Sequence, residues 1–423
     1  MSPLRSTLTA TGALALCAAL ALPAGAAPIA VDPNAYVPYV QPTVPGPKGV
    51  AVDDGTAVVA GSGDSTATVL STCQPKSCRP GSGPTVPTGP QPTDVAIARG
   101  TDSVSGRAYV TNGGNGTVTL IPYTAGITPE LDAPVSLTVG GVPTGIDLSP
   151  DGRWAYIADN LSDALVIYDT VNLRVDGRVA VGAGPWGVAA SPDGARVYVA
   201  ANEAGNVSVV DTASRTVIAA IPVGMTPGDI ALDPSGRTLY VPSNGSGTVS
   251  VIDTATNSVR AIVPVGSQPW GVAATDTHAF VANFASGNVS VIDGASATVI
   301  ATVATGTSPF GVAIDDDRQV LVTNAGSSTL SAIALKADTP AVNWSANRRL
   351  RTVTGVVPAM PAVTYGIVSR KGTKTRSGTC ATAGDRVACR VRVGTGTWRT
   401  SVTTQLPWQT SPGGQQNKGY TFH

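Results

Sequence analysis

Side chains able to do chemistry are few in this 423-residue sequence, and their scarcity narrows the possible functions. There are two histidines, His278 and the terminal His423. Nucleophilic catalysis needs a base beside the nucleophile, so a serine triad would have to recruit His278. That residue falls between two short β runs and reads as a solvated turn position. The same shortage argues against zinc, copper or haem ligation, so no metal and no cofactor are expected. Aspartates are more numerous, but Asp151, Asp193, Asp211, Asp253 and Asp293 stand in turn signatures, where a carboxylate caps backbone N–H groups. Three do not. Asp94 and Asp229 stand where related segments carry Gly, and Asp147 where they carry a small residue. Carboxylates of that kind could act as general acid and base, or hold a cation.

The related segments are copies of one phrase. It reads Pro-x-Gly-Val-Ala, a turn, Tyr-Val-x-Asn, Gly-x-Val-Ser-Val-x-Asp-Thr, a Val/Ile-rich run, then Val-Gly. Its clearest copies open at Pro143, Pro185, Pro227, Pro269 and Pro309, separated by 42, 42, 42 and 40 residues. Weaker copies open at Pro47 and Pro92. What varies is the residue after the opening proline: Lys48, Thr93, Thr144, Trp186, Gly228, Trp270 and Phe310. Asparagines close the second run, among them Asn202 and Asn283. Three aromatics beside amides and carboxylates make the mixed concave surface that binds sugars or peptides. The candidate ligand-binding set is therefore Lys48, Asp94, Thr144, Trp186, Asp229, Trp270, Phe310, Asn202 and Asn283. The plainer alternative is that the tryptophans pack between repeats and the asparagines cap their own loops.

A period in the low forties carrying four short β runs implies a propeller, one blade to each copy. The fold class is then all-β: a seven-bladed propeller of four-stranded blades. In the copy opening at Pro185, Trp186–Ala190 is the innermost strand and Ser191-Pro192-Asp193-Gly194 a turn. Val197–Val199 and Val207–Val210 follow, and Thr216–Val223 is outermost. Pro222 in that last strand, and Pro264 in the next copy, need a sheet edge where no neighbour uses the missing N–H. The last copy supplies three good strands, and Tyr36–Val44 resembles an outer strand without a blade. It is expected to complete blade seven and close the ring.

Tyr109-Val110-Thr111-Asn112 is the signature of the YVTN-type propeller repeats. Tyr156–Asn160, Tyr198–Asn202, Phe280–Asn283 and Leu321–Asn324 vary it. Residues 36 to 337 thus resemble that family, whose members are often exported or surface-associated in bacteria and archaea. Some propeller lactonases resemble these repeats too. The first copy departs most, since Val58-Val59-Ala60-Gly61 lacks both the aromatic and the Asn.

The two ends differ from the repeats. Residues 1–26 read as a signal peptide: Arg5, an apolar stretch from Leu8 to Leu22, and Ala24-Gly25-Ala26 for cleavage. That stretch is shorter than the roughly 20 residues of a bilayer span, so no transmembrane segment is expected. The propeller then covers 27–338. From 339 to 423 strand-like runs and Gly394-x-Gly396-x-Trp398-Arg399 resemble a fibronectin type III or immunoglobulin-like sandwich, either a docking module or a spacer. Without Cys17 of the leader, four cysteines remain, and their spacing suggests Cys73–Cys78 and Cys380–Cys389 disulfides. Net charge is zero with 13% charged residues, so there is no basic field for nucleic acid or anionic lipid. The expectation is a monomeric, exported, non-catalytic protein of the cell envelope whose propeller mouth holds a glycan, peptide or protein partner. A lactonase-like hydrolase and a purely structural protein are the alternatives.

Overall fold

The computed structural model describes residues 39–53, 55–72, 83–99, 105–125, 129–315 and 319–334 of the repeat region. Towards the C-terminus it describes 343–347, 352–358, 364–371, 373–383, 386–392, 396–405 and 413–422. The signal-peptide reading and the Cys73–Cys78 pairing lie outside the described residues.

Seven antiparallel four-stranded sheets follow one another along the repeats, and we number them as blades one to seven. Blade two carries the added short strand Glu130–Leu131 at its edge. Blade four is representative, with strands Pro185–Ala190, Arg196–Ala201, Asn206–Asp211 and Thr216–Pro222 from the axis outwards. Alternation places successive side chains on opposite faces of a strand, and here both faces are covered. Tyr198, Ala200, Val207 and Val209 pack on Ile230, Leu239 and Val241 of blade five. Val197, Val199 and Val210 pack on Tyr156, Leu165 and Ile167 of blade three. The core is thus a ring of apolar wedges between sheets, each buried Val or Ile contributing about 1.5–3 kcal/mol.

The turns follow their residues. After the first strand of blade four the Asp193 carboxylate accepts from the Ser191 hydroxyl and the Ala195 N–H, while Gly194 takes φ +70°. Pro222 and Pro264 each end an outermost strand, as their missing N–H requires. The ring closes as expected: Tyr39–Pro42 pairs antiparallel with Thr329–Ala332 as the fourth strand of blade seven. Among the described residues no helix is long and apolar enough to cross a membrane.

The C-terminal strands form two further sheets. One orders Asn343–Asn347, Thr352–Pro358, Arg386–Arg392 and Thr379–Ala383. The other orders Lys374–Ser377, Thr364–Lys371, Gly396–Gln405 and Gly413–Phe422. Cys380 and Cys389 face each other in register on neighbouring strands and form the expected disulfide.

Candidate functional site: the channel mouth

In six blades the opening proline pairs with the end of the second strand, and the ladder then slips before resuming three residues later. A slip of this kind re-aims side chains. The two residues inside it leave their own sheet and turn towards the axis and the next blade. Their backbone groups are recovered elsewhere. In blade two the Thr111 hydroxyl accepts from the Asp94 N–H (3.0 Å) and donates to the Thr144 carbonyl of blade three (2.6 Å). Glycine suits the second of these places because the blades nearly touch there. A Cβ at Gly145 would lie 2.2 Å from the Trp186 carbonyl oxygen, and one at Gly271 2.1 Å from that of Phe310.

Asp94 and Asp229 break that glycine rule. In blade five the innermost strand shrinks to Ala231–Leu232, with a lone bridge at Pro227, and the Asp229 N–H donates across to the Trp270 carbonyl (3.2 Å). Blade two keeps its pairing around Asp94, so the loss is particular to blade five.

Lys48, Asp94, Trp186, Asp229, Trp270 and Phe310 line one pocket at the mouth of the channel. Trp186 and Trp270 meet edge to face with ring centroids 5.1 Å apart, and Trp270 lies 5.2 Å from Phe310. Lys48 Nζ sits 5.8 Å from the centre of the Phe310 ring. The rings crowd the opening, and only about 20 Å³ within the pocket is open to a water-sized sphere. Trp270 Nε1–H is buried and has no acceptor among the described residues.

Other members of the predicted set stand elsewhere. Thr144 is buried, and its hydroxyl lies against the Ala158, Pro185 and Trp186 carbonyls at 3.1–3.3 Å. Asn202 donates to the Pro227 carbonyl of the next blade (2.8 Å). Asn283 is fully buried and donates to Asn288 and Ser290 of its own blade. The asparagines do not form one ring. Asn112, Asn283 and Asn324 pair with their opening prolines, whereas Asn160, Asn202 and Asn244 lie one residue later, beyond Asp159, Ala201 and Ser243. His278 is not a solvated turn residue either. It begins a strand at 7% exposure, contacts Thr277 Oγ1 through Nδ1 (2.8 Å), and burial lowers its pKa.

The three unusual aspartates share the channel. Asp94 accepts from the N–H of Val95 (2.8 Å) and of Ile146 in the next blade (3.0 Å). Asp147 repeats this with Leu148 and with Ala190 of blade four, both at 2.8 Å. Burial pushes Asp94 and Asp147 up to about 6, against the pull of those N–H groups, and the charge of Asp147 adds to the rise at Asp94. Among the described residues Asp229 accepts only from Ile230 N–H (2.9 Å), and burial together with the charges of Asp94 and Asp147 raises it well above the carboxylate range. All three residues are half-buried, and Asp94 and Asp229 line the mouth pocket. Among the described residues no three acidic, histidine or cysteine side chains are placed to hold a metal ion.

A second cavity, of about 390 Å³, lies where the first turns of blades three and four meet. Asp151, Trp154, Tyr156, Asp193 and Arg215 line it. No residue pattern marks it, because Asp151 and Asp193 read as turn caps, which they also are. Arg153 and Arg215 lie over the Trp154 ring at 5.1 and 5.7 Å.

Residues 100–217 match the family described as Lactonase, 7-bladed beta-propeller. No curated protein matches the chain. Among solved structures, the hydrazine synthase of Kuenenia stuttgartiensis aligns at 21% identity and TM-score 0.58, covering 69% of this chain and 96% of that one. A streptogramin B lyase aligns at 12% identity and TM-score 0.56, covering 70% and 96%. A protein of unknown function from Desulfotomaculum acetoxidans aligns at 16% identity and TM-score 0.52, covering 66% and 89%. Likenesses at these identities show the propeller fold and nothing of its chemistry.

Proposed function

We propose that this chain is an exported binding protein of the cell envelope, whose channel mouth holds a glycan, a peptide or a loop of a partner protein. One observation carries the reading. Trp186, Trp270 and Phe310, from blades four, six and seven, meet above Asp94 and Asp229 from blades two and five. Five blades contribute to one small surface of aromatic faces and carboxylates, and such surfaces recognise ligands by stacking and directed hydrogen bonds. Among the described residues no histidine lines this surface, which favours capture over nucleophilic catalysis. Residues 1–26 support export. The C-terminal strand orders match those of immunoglobulin-type sandwiches, which supports a separate module that spaces or docks the propeller.

The test is capture of glycans and peptides on arrays by the full chain, set against Trp186→Ala/Trp270→Ala. Loss of the captured set with unchanged thermal unfolding supports the mouth. Unchanged capture discards it.

A hydrolase reading draws on the lactonase match over residues 100–217 and on Asp94 and Asp147, whose raised pKa values suit a general base. Lactone hydrolysis that disappears in Asp94→Asn/Asp147→Asn would establish it.

A further inference from the structure

We infer that the group this mouth admits is an organic ammonium, a charged amino or quaternary ammonium head whose remainder stays outside the ring. The inference rests on the mouth being the binding site and names the chemical class of its ligand.

Aromatic faces are the first element. Rings of Trp, Tyr or Phe attract cations placed over them, most strongly where water is excluded. The Trp186–Trp270–Phe310 cluster packs three such rings against one another, and all three line one narrow pocket. Carboxylates are the second. Asp94 and Asp229 line the same pocket, and neither forms a salt bridge among the described residues. Asp229 engages one oxygen, through Ile230 N–H. Its other oxygen has no hydrogen-bond donor among the described residues. A ligand cation favours the ionised form of both acids, which burial otherwise disfavours, whereas a neutral sugar brings no charge to offset them.

Lys48 is the third element and the most direct. Its ammonium already lies over Phe310, so the rim holds a cation supplied by the protein itself. Beyond that ring, the Lys48 ammonium has neither hydrogen bond nor ion pair among the described residues, and burial lowers its pKa. A long, unbranched side chain held so weakly can swing out. A ligand ammonium taking its place exchanges one aromatic face for several and gains the carboxylates. The departure of Lys48 also supplies room that the closed pocket lacks. Trp270 Nε1–H remains as a donor for a hydroxyl or carbonyl oxygen near the ligand's charged end.

The experiment titrates the full chain with choline and with its neutral carbon isostere, in which carbon replaces the nitrogen, following tryptophan fluorescence. Choline should bind about tenfold more tightly than the isostere, the factor expected of a desolvated cation–aromatic contact. Lys48→Ala should tighten choline binding several-fold, because the internal competitor is gone. Asp94→Asn/Asp229→Asn should weaken it about tenfold, with thermal unfolding confirming an intact ring. Equal affinity for the two probes, or no choline response in either the native chain or Lys48→Ala, overturns the proposal. If array capture is lost in the double tryptophan variant while choline and isostere behave alike, the mouth stands and the ammonium falls. If neither capture nor choline responds to the tryptophan changes, both fall.

Discussion

The Thr323 hydroxyl donates to the Lys48 carbonyl oxygen at 2.6 Å, joining blade seven to blade one across the seam of the ring. The same hydroxyl accepts from the Gly311 N–H at 2.8 Å. One threonine thus holds the inner strand of its own blade and the inner strand of the next, as Thr111 does between blades two and three. At the perimeter Tyr39–Pro42 closes the same seam. Thr323→Val keeps the shape and removes both bonds, leaving a backbone N–H and a carbonyl unpaired in a part-buried place. The expected loss is about 1–3 kcal/mol in urea unfolding, with little effect from the same change at an exposed threonine such as Thr298. A loss below about 0.5 kcal/mol would mean the seam is held by strand pairing alone.

The channel carboxylates set a pH dependence of uncommon sign. Asp94 and Asp147 ionise at about 6 in the folded ring, against an ordinary 3.8. The folded state therefore holds their protons more tightly than the unfolded chain does. The stability they contribute is fully present below about pH 4 and is lost as pH rises through about 6. Each is worth on the order of 3 kcal/mol across that window. Denaturant midpoints taken between about pH 4.5 and pH 7 should fall more steeply for the native chain than for Asp94→Asn/Asp147→Asn. Parallel profiles would show that a bound cation or water neutralises these groups.

Trp186 and Trp270 should be coupled although blade five stands between their blades. The residue in their place there is Gly228, whose lack of a side chain leaves the two rings free to meet. Edge-to-face pairs contribute about 0.5–1.5 kcal/mol beyond area burial. A double-mutant cycle of Trp186→Ala and Trp270→Ala should return a coupling of about 1 kcal/mol in urea unfolding, whereas Trp154 with Trp270 should return none.

These relationships divide into those the sequence could carry and those it could not. The repeat period, the edge prolines 222 and 264, and the unmatched strand at the chain start all express local rules. They led to seven closed blades. The site was legible only as a position, the residue after each opening proline. Whether that residue reaches the axis depends on the slip in the ladder, which no composition marks. Blades three, four and six share that slip, and the side chain decides the rest: the Thr144 hydroxyl lies against carbonyls in the blade junction, whereas Trp186 and Trp270 line the mouth. The asparagines illustrate the same limit. A one-residue offset between Asn202 and Asn283 divides them into staples between blades and caps within one. Asp94, Asp147 and Asp229 fall in blades two, three and five, far apart along the chain. A radial fold nonetheless brings all three to one axis, where the charge of Asp147 raises Asp94 and the charges of both raise Asp229.

Gly145 offers the sharpest test of how close the blades come. Its φ is ordinary, so backbone freedom is not what the position needs. The need is space, since a Cβ there would stand 2.2 Å from the Trp186 carbonyl oxygen and 3.1 Å from the Gly187 Cα. Both contacts are with backbone, which cannot rotate aside as a side chain can. Gly145→Ala should therefore force blades three and four apart, at about 1–3 kcal/mol or more. Two responses to a larger residue at this place are on view: blade two keeps its full inner strand around Asp94, whereas in blade five Asp229 leaves the ladder and most of the inner strand is lost. Because the Gly145 contacts are with backbone, the alanine variant should follow blade five, with amide hydrogen exchange rising over 143–148 and remaining unchanged in the outer strand Arg174–Ala180. A destabilisation without local exchange would place the strain elsewhere. An unchanged midpoint would show that the blades have slack at the axis, and the crowding argument for the glycine place would fail with it.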